Sequence, residues 1–74
     1  MITYEKAIEN VKKKYPDKKI GGCYDMNQWY LISIDSDDYD ADFYAVNKSD
    51  GAVKTYSPLA DLNSFKEAMR KRIV

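Results

Sequence analysis

The chain has 74 residues, 45% of them hydrophobic, with twelve basic and twelve acidic side chains, one cysteine and no histidine. The length fits one domain spanning residues 1–74, and the hydrophobic share excludes a disordered chain. Zero net charge removes long-range steering toward nucleic acid, and the lone Cys23 rules out an internal disulfide and points to the reducing cytoplasm. No run approaches the roughly 20 apolar residues that span a bilayer, and Met1 to Lys19 lacks the basic start and apolar stretch of a signal peptide.

Residues 3–15 read as an amphipathic helix. Tyr4, Ala7, Ile8, Val11 and Tyr15 recur at spacings of three and four. Thr3 suits the N-cap, with Ile2 and Ala7 placed for a hydrophobic staple. Lys12, Lys13 and Lys14 complement the helix dipole in the last turns, and Pro16 ends the helix.

Residues 20–25 form a first, irregular strand in which Gly21 and Gly22 signal a bulge or close backbone approach. A turn at Met26 and Asn27 leads into residues 28–35, the strongest strand. Residues 42–47 and 52–56 form a hairpin around Lys48-Ser49-Asp50-Gly51, with Gly51 taking positive φ. If Asn47 opposes Ala52, then Val46 faces Val53, Tyr44 faces Thr55 and Phe43 faces Tyr56. After Ser57-Pro58, the spacing of Leu62, Phe65, Ala68, Met69 and Arg72 predicts a second helix, starting at Ser57-Pro58 or capped by Asp61, with Ile73 and Val74 trailing off. The fold class is α+β: a helix, a four-stranded antiparallel meander and a helix.

The sheet reads as apolar on both faces. Tyr30, Ile32, Ile34, Tyr44, Val46 and Val53 line one side, and Trp29, Leu31, Phe43, Ala45 and Tyr56 the other. The helices cover one face or one each. If both lie on one face, the other presents an aromatic patch that needs a partner.

The chemistry such a chain supports is narrow. Without histidine it lacks the commonest general base and metal ligand, and Cys23 has no histidine to activate it, reading instead as a small half-buried strand residue. No phosphate-binding or dinucleotide loop occurs. The expectation is a protein that is not an enzyme and takes no cofactor and no small-molecule substrate. The acidic run Asp35, Asp37, Asp38, Asp40 and Asp42 imitates the first half of a calcium loop from Asp38 onward. The imitation then fails, because Phe43 stands where the turn glycine belongs and Ser49 where the bidentate glutamate belongs, so no metal site is assigned. The same run could meet a basic partner or stand in for nucleic-acid phosphates, as in an inhibitor of a host defence or nucleic-acid enzyme. Lys12, Lys13, Lys14, Lys18 and Lys19 are the raw material of nucleic-acid contacts. The neutral net charge and the absence of a binding motif favour a solubilising helix end instead. Trp29, Phe43 and Tyr56 are the remaining candidates, as a protein interface or as a second core layer.

The hairpin FYAVNKSDGAVKTYSP (residues 43–58) and the opening TYEKAIENVKKKYP resemble small proteins encoded in phage and prophage genomes of Gram-positive bacteria. The Asn-Lys-x-x-Gly-x-Val turn also resembles PepSY-like modules and some small immunity proteins. The resemblance implies an accessory role in a bacterial host cytoplasm, without catalysis, and carries over no site residues. The functional expectation is a protein–protein interaction domain that meets a protein partner, including a second copy of itself as a homodimer.

Overall fold

The computed structural model describes residues 1–35 and 43–74, and the acidic positions Asp37, Asp38, Asp40 and Asp42 lie outside the described residues. Helix α1 (Tyr4–Lys14) is followed by strands β1 (Lys19–Met26), β2 (Trp29–Asp35), β3 (Phe43–Asn47) and β4 (Val53–Tyr56), a short 3₁₀ turn (Pro58–Ala60) and helix α2 (Leu62–Met69). The four strands form one antiparallel sheet in the order β1-β2-β3-β4, the meander expected of short local connections. No helix among the described residues is long and apolar enough to cross a membrane.

The helix ends follow capping chemistry. Thr3 Oγ1 accepts from the Lys6 N–H at 3.2 Å, and Asp61 Oδ1 accepts from the Ser64 N–H at 3.2 Å. Each side chain supplies an acceptor to an amide that the helix leaves unbonded. The two helix starts anticipated for the last segment are used in succession. Ser57-Pro58 opens the 3₁₀ turn, and Asp61 then caps α2.

The β1–β2 loop is one residue later than anticipated. Met26 pairs with Trp29, so Asn27 and Gln28 make a two-residue turn with Asn27 at φ 56°, a region asparagine tolerates. The register slips between Ile20 and Gly22, placing the bulge at Gly21. In the second hairpin, Val46 faces Val53, Tyr44 faces Thr55 and Phe43 faces Tyr56 as the turn residues imply. Gly51 has φ +78°, and its carbonyl accepts from Asn10 Nδ2 at 3.1 Å, which fastens the turn to α1.

The two helices take opposite faces of the sheet. Ala7 and Val11 of α1 bury against Cys23, Ile32, Ile34, Tyr44 and Val46, with Tyr15 stacked on Tyr44 at 4.5 Å. On the other face Leu31 and Ala45 are fully buried, Ala68 of α2 is buried, and Phe65 meets Phe43 edge to face at 5.2 Å. This explains why both faces of β2 and β3 are apolar: the central strands carry two core layers. Cys23 is fully rather than half buried, because it faces α1 at the centre of the first layer.

The end of the chain departs from its helical spacing. Helix α2 stops at Met69, and the residues beyond it turn back along β1. Arg72 pairs with Tyr24, while Ile73 packs on the α1-side core and does not trail into solvent.

Candidate functional site

Where α2 begins, it leaves part of its sheet face open. The opening is a cleft of about 400 Å³ lined by Met26, Asn27, Gln28, Trp29, Lys54, Tyr56, Asp61 and Ser64. Three pieces of chain build it. The tight β1–β2 turn presents Met26 to Trp29, β4 presents Lys54 and Tyr56, and the capped first turn of α2 presents Asp61 and Ser64. A second hollow of about 270 Å³ continues from it along α2, sharing Met26, Asn27 and Ser64 and reaching Asp25, Glu67 and Lys71.

The sheet register explains the cleft floor. Trp29 lies opposite Asn47, and Lys54 opposite Ala45, so β3 separates the two. Ala45 is small enough for the Lys54 side chain to pass over it, and its ammonium sits 4.1 Å from the Trp29 ring centroid. That distance is a close cation–π contact, in which the positive head meets the negative ring face. Tyr56 Oη donates to the Asp61 carbonyl at 3.4 Å. Burial, and then the Asp61 carboxylate, hold its phenol above the ordinary range, so Tyr56 stays a neutral donor at physiological pH.

At the far side of the β1–β2 turn, Lys48 Nζ donates to Asp25 Oδ1 at 2.5 Å and lies 4.9 Å from the Tyr30 ring centroid. The Lys48 N–H reaches the Gln28 carbonyl at 2.9 Å, and the Lys48 carbonyl accepts from the Ile2 N–H at 2.7 Å. Lys48 therefore joins both hairpin turns and the N-terminal segment, and holds the wall of the cleft in place.

Of the three candidate aromatics, the cleft unites Trp29 and Tyr56 and leaves out Phe43. All three are half-buried, none fully exposed, and Phe43 is taken up by its edge contact with Phe65. Asp35 is exposed at the end of β2, opposite Lys19. The candidate lysines are dispersed by local contacts. Lys13 Nζ pairs with Glu9 at 3.0 Å, and Lys14 Nζ donates to the Val53 carbonyl at 3.2 Å and lies near the Tyr15 ring. Lys13, followed by Lys6, holds the Glu9 carboxyl below its ordinary range. Lys12, Lys18 and Lys19 are exposed.

Sequence reasoning missed Lys54, Met26 and Ser64 as cleft residues. Lys54 was legible as the cross-strand neighbour of Ala45 in the second hairpin. Its place over Trp29 depends on the β2–β3 register, which pairs Trp29 with Asn47 and Leu31 with Ala45. Burial pushes the Cys23 thiol up to about 11, so at neutral pH it holds its proton. No group of three or more acidic or thiol side chains is placed to hold a metal among the described residues. The cleft presents two rings, a thioether, two amides, one cation, the Asp61 carboxylate and the Tyr56 and Ser64 hydroxyls. No family model, curated protein or solved structure matches the chain.

Proposed function

We propose that this chain is a non-enzymatic protein–protein interaction domain, a small accessory protein of the phage type acting in the cytoplasm of a bacterial host. It engages its partner through the cleft between the β1–β2 turn, β4 and the start of α2. The observation that carries the reading is the Trp29–Lys54–Tyr56 constellation, in which two large rings and a methionine stand half-buried around an open hollow of about 400 Å³. Tryptophan and tyrosine dominate binding hot spots because they bury large area with little loss of side-chain freedom. The resemblance of residues 43–58 to small phage-encoded proteins accords with an accessory role.

The test is site-specific photo-crosslinking in a Gram-positive bacterial cytoplasm, with the photoreactive residue at position 54 and, as control, at position 13 on the outer face of α1. The reading calls for protein adducts at position 54 that Trp29→Ala removes, with few at position 13. Equal labelling at both positions would refute it. Light scattering across a dilution series identifies a second copy as the partner if the mass doubles and Trp29→Ala restores the monomer.

A further inference from the structure

We infer that the outer edge of β1 is a strand-accepting site, occupied in cis by residues 71–74, and that an extended segment of another protein replaces them there. The inference concerns the sheet edge and does not rest on the cleft. β1 is the first strand in the sheet order, so one side of its backbone has no neighbour within the sheet. The tail supplies that neighbour. The Asp25 N–H donates to the Lys71 carbonyl at 3.0 Å, the Cys23 N–H to the Val74 carbonyl at 3.2 Å, and the Ile73 N–H to the Cys23 carbonyl at 2.8 Å. The Asp25–Lys71 and Ile73–Cys23 bonds are those of one antiparallel bridge centred on Tyr24 and Arg72, the pattern by which a peptide adds to a sheet edge.

The edge is shaped for this occupant. Gly22 carries no side chain, and a Cβ there would stand 3.1 Å from the Val74 carbonyl oxygen and 3.5 Å from the Arg72 guanidinium. Ile73 enters the α1-side core next to Cys23, and the Arg72 guanidinium lies 5.9 Å from the Tyr24 ring centroid. The site therefore reads three things: free backbone groups, a β-branched apolar residue on one face and a cation on the other.

The tail is held lightly for a structural element. Lys71, Arg72 and Val74 are exposed, Ile73 alone is half-buried, and Arg70 joins the segment to α2. A short segment with a single half-buried apolar anchor opens more readily than the central strands, without global unfolding. Opening frees the β1 backbone groups, and a partner segment with an arginine-isoleucine pair in the register of Arg72 and Ile73 fits the vacated edge.

Amide hydrogen exchange on the full chain tests the opening. The Cys23 and Asp25 amides, which donate only to the tail, should exchange at least about tenfold faster than those of Ile32 and Val46 in the central strands. Equal rates would mean that the tail leaves only when the whole domain unfolds, and would overturn the inference. The second arm uses the full chain carrying Ile73→Ala and a peptide of residues 70–74 as the probe. Saturable binding that slows exchange at Cys23 and Asp25, and that fails for the peptide carrying Ile73→Asp, is the expected result. A folded variant that ignores the peptide at millimolar concentration overturns the site, as does a variant that cannot fold, since Ile73 would then belong to the indispensable core. A dimer of the unmodified chain that the peptide disperses would replace the other protein by a second copy and overturn the stated partner.

Discussion

Single side chains in this small domain carry more than one duty, and their substitution separates those duties. Cys23 fills the first core layer and ionises only near pH 11 because burial disfavours the thiolate, with Asp25 adding to the effect. In the unfolded chain the thiol ionises near its ordinary value of 9.0, so the folded state holds the proton more tightly. The associated stability is complete below pH 9 and is lost as pH rises toward 11. Urea midpoints measured across that window should fall for the unmodified chain, and Cys23→Ala should flatten the decline. An undiminished decline in the variant would assign it to other groups, Tyr56 first. Gly51 is the second such position. Its φ of +78° lies in the region side chains avoid, and a Cβ would meet Asn10 Nδ2 at 2.7 Å. Gly51→Ala should cost about 1–3 kcal/mol in chemical denaturation. Pairing it with Asn10→Ala relieves the clash and leaves the backbone strain, so the double variant should recover only part of the loss.

At the scale of elements, each helix owns one face of the sheet, and their hold on it differs. Helix α1 is fastened by a continuous layer of seven buried residues and by stacked Tyr15 and Tyr44. Helix α2 is shorter, with one buried residue of its own, Ala68, and depends on Phe65 against Phe43. Phe65→Ala removes that ring contact with Phe43. The expected loss is about 2 kcal/mol, below the range for a fully buried phenylalanine because Phe65 is only half-buried. Equilibrium denaturation would show it, and a change under about 0.5 kcal/mol would mean that Ala68 and the Asp61 cap hold the helix unaided.

The whole molecule is a three-layer sandwich too small for independent parts. β2 and β3 contribute to both core layers, Ile32, Tyr44 and Val46 on one face and Leu31 and Ala45 on the other, so neither layer can melt while the other remains. Unfolding followed by the fluorescence of Trp29, the single tryptophan and a residue of the α2 side, should coincide with far-UV circular dichroism, to which α1 contributes. Separate midpoints would show that α2 and the cleft detach before the α1 layer. That result would also loosen the cleft as a preformed binding surface.

Local chemistry written in adjacent residues determined much of this protein. Thr3 and Asp61 cap helices because their side-chain oxygens reach amides three residues on. The Gly51 turn sets the β3–β4 register because a short loop admits one pairing. The two apolar faces of β2 already required cover on both sides. Tertiary structure decided what depends on distant residues meeting. Two apolar faces did not say which helix covers which, and the β2–β3 register that carries Lys54 to Trp29 joins strands separated in sequence by residues 36–42. The helical spacing of Arg72 was overruled because β1 is an edge strand, and its unpaired backbone groups bond residues 71–74 more usefully than another helical turn would.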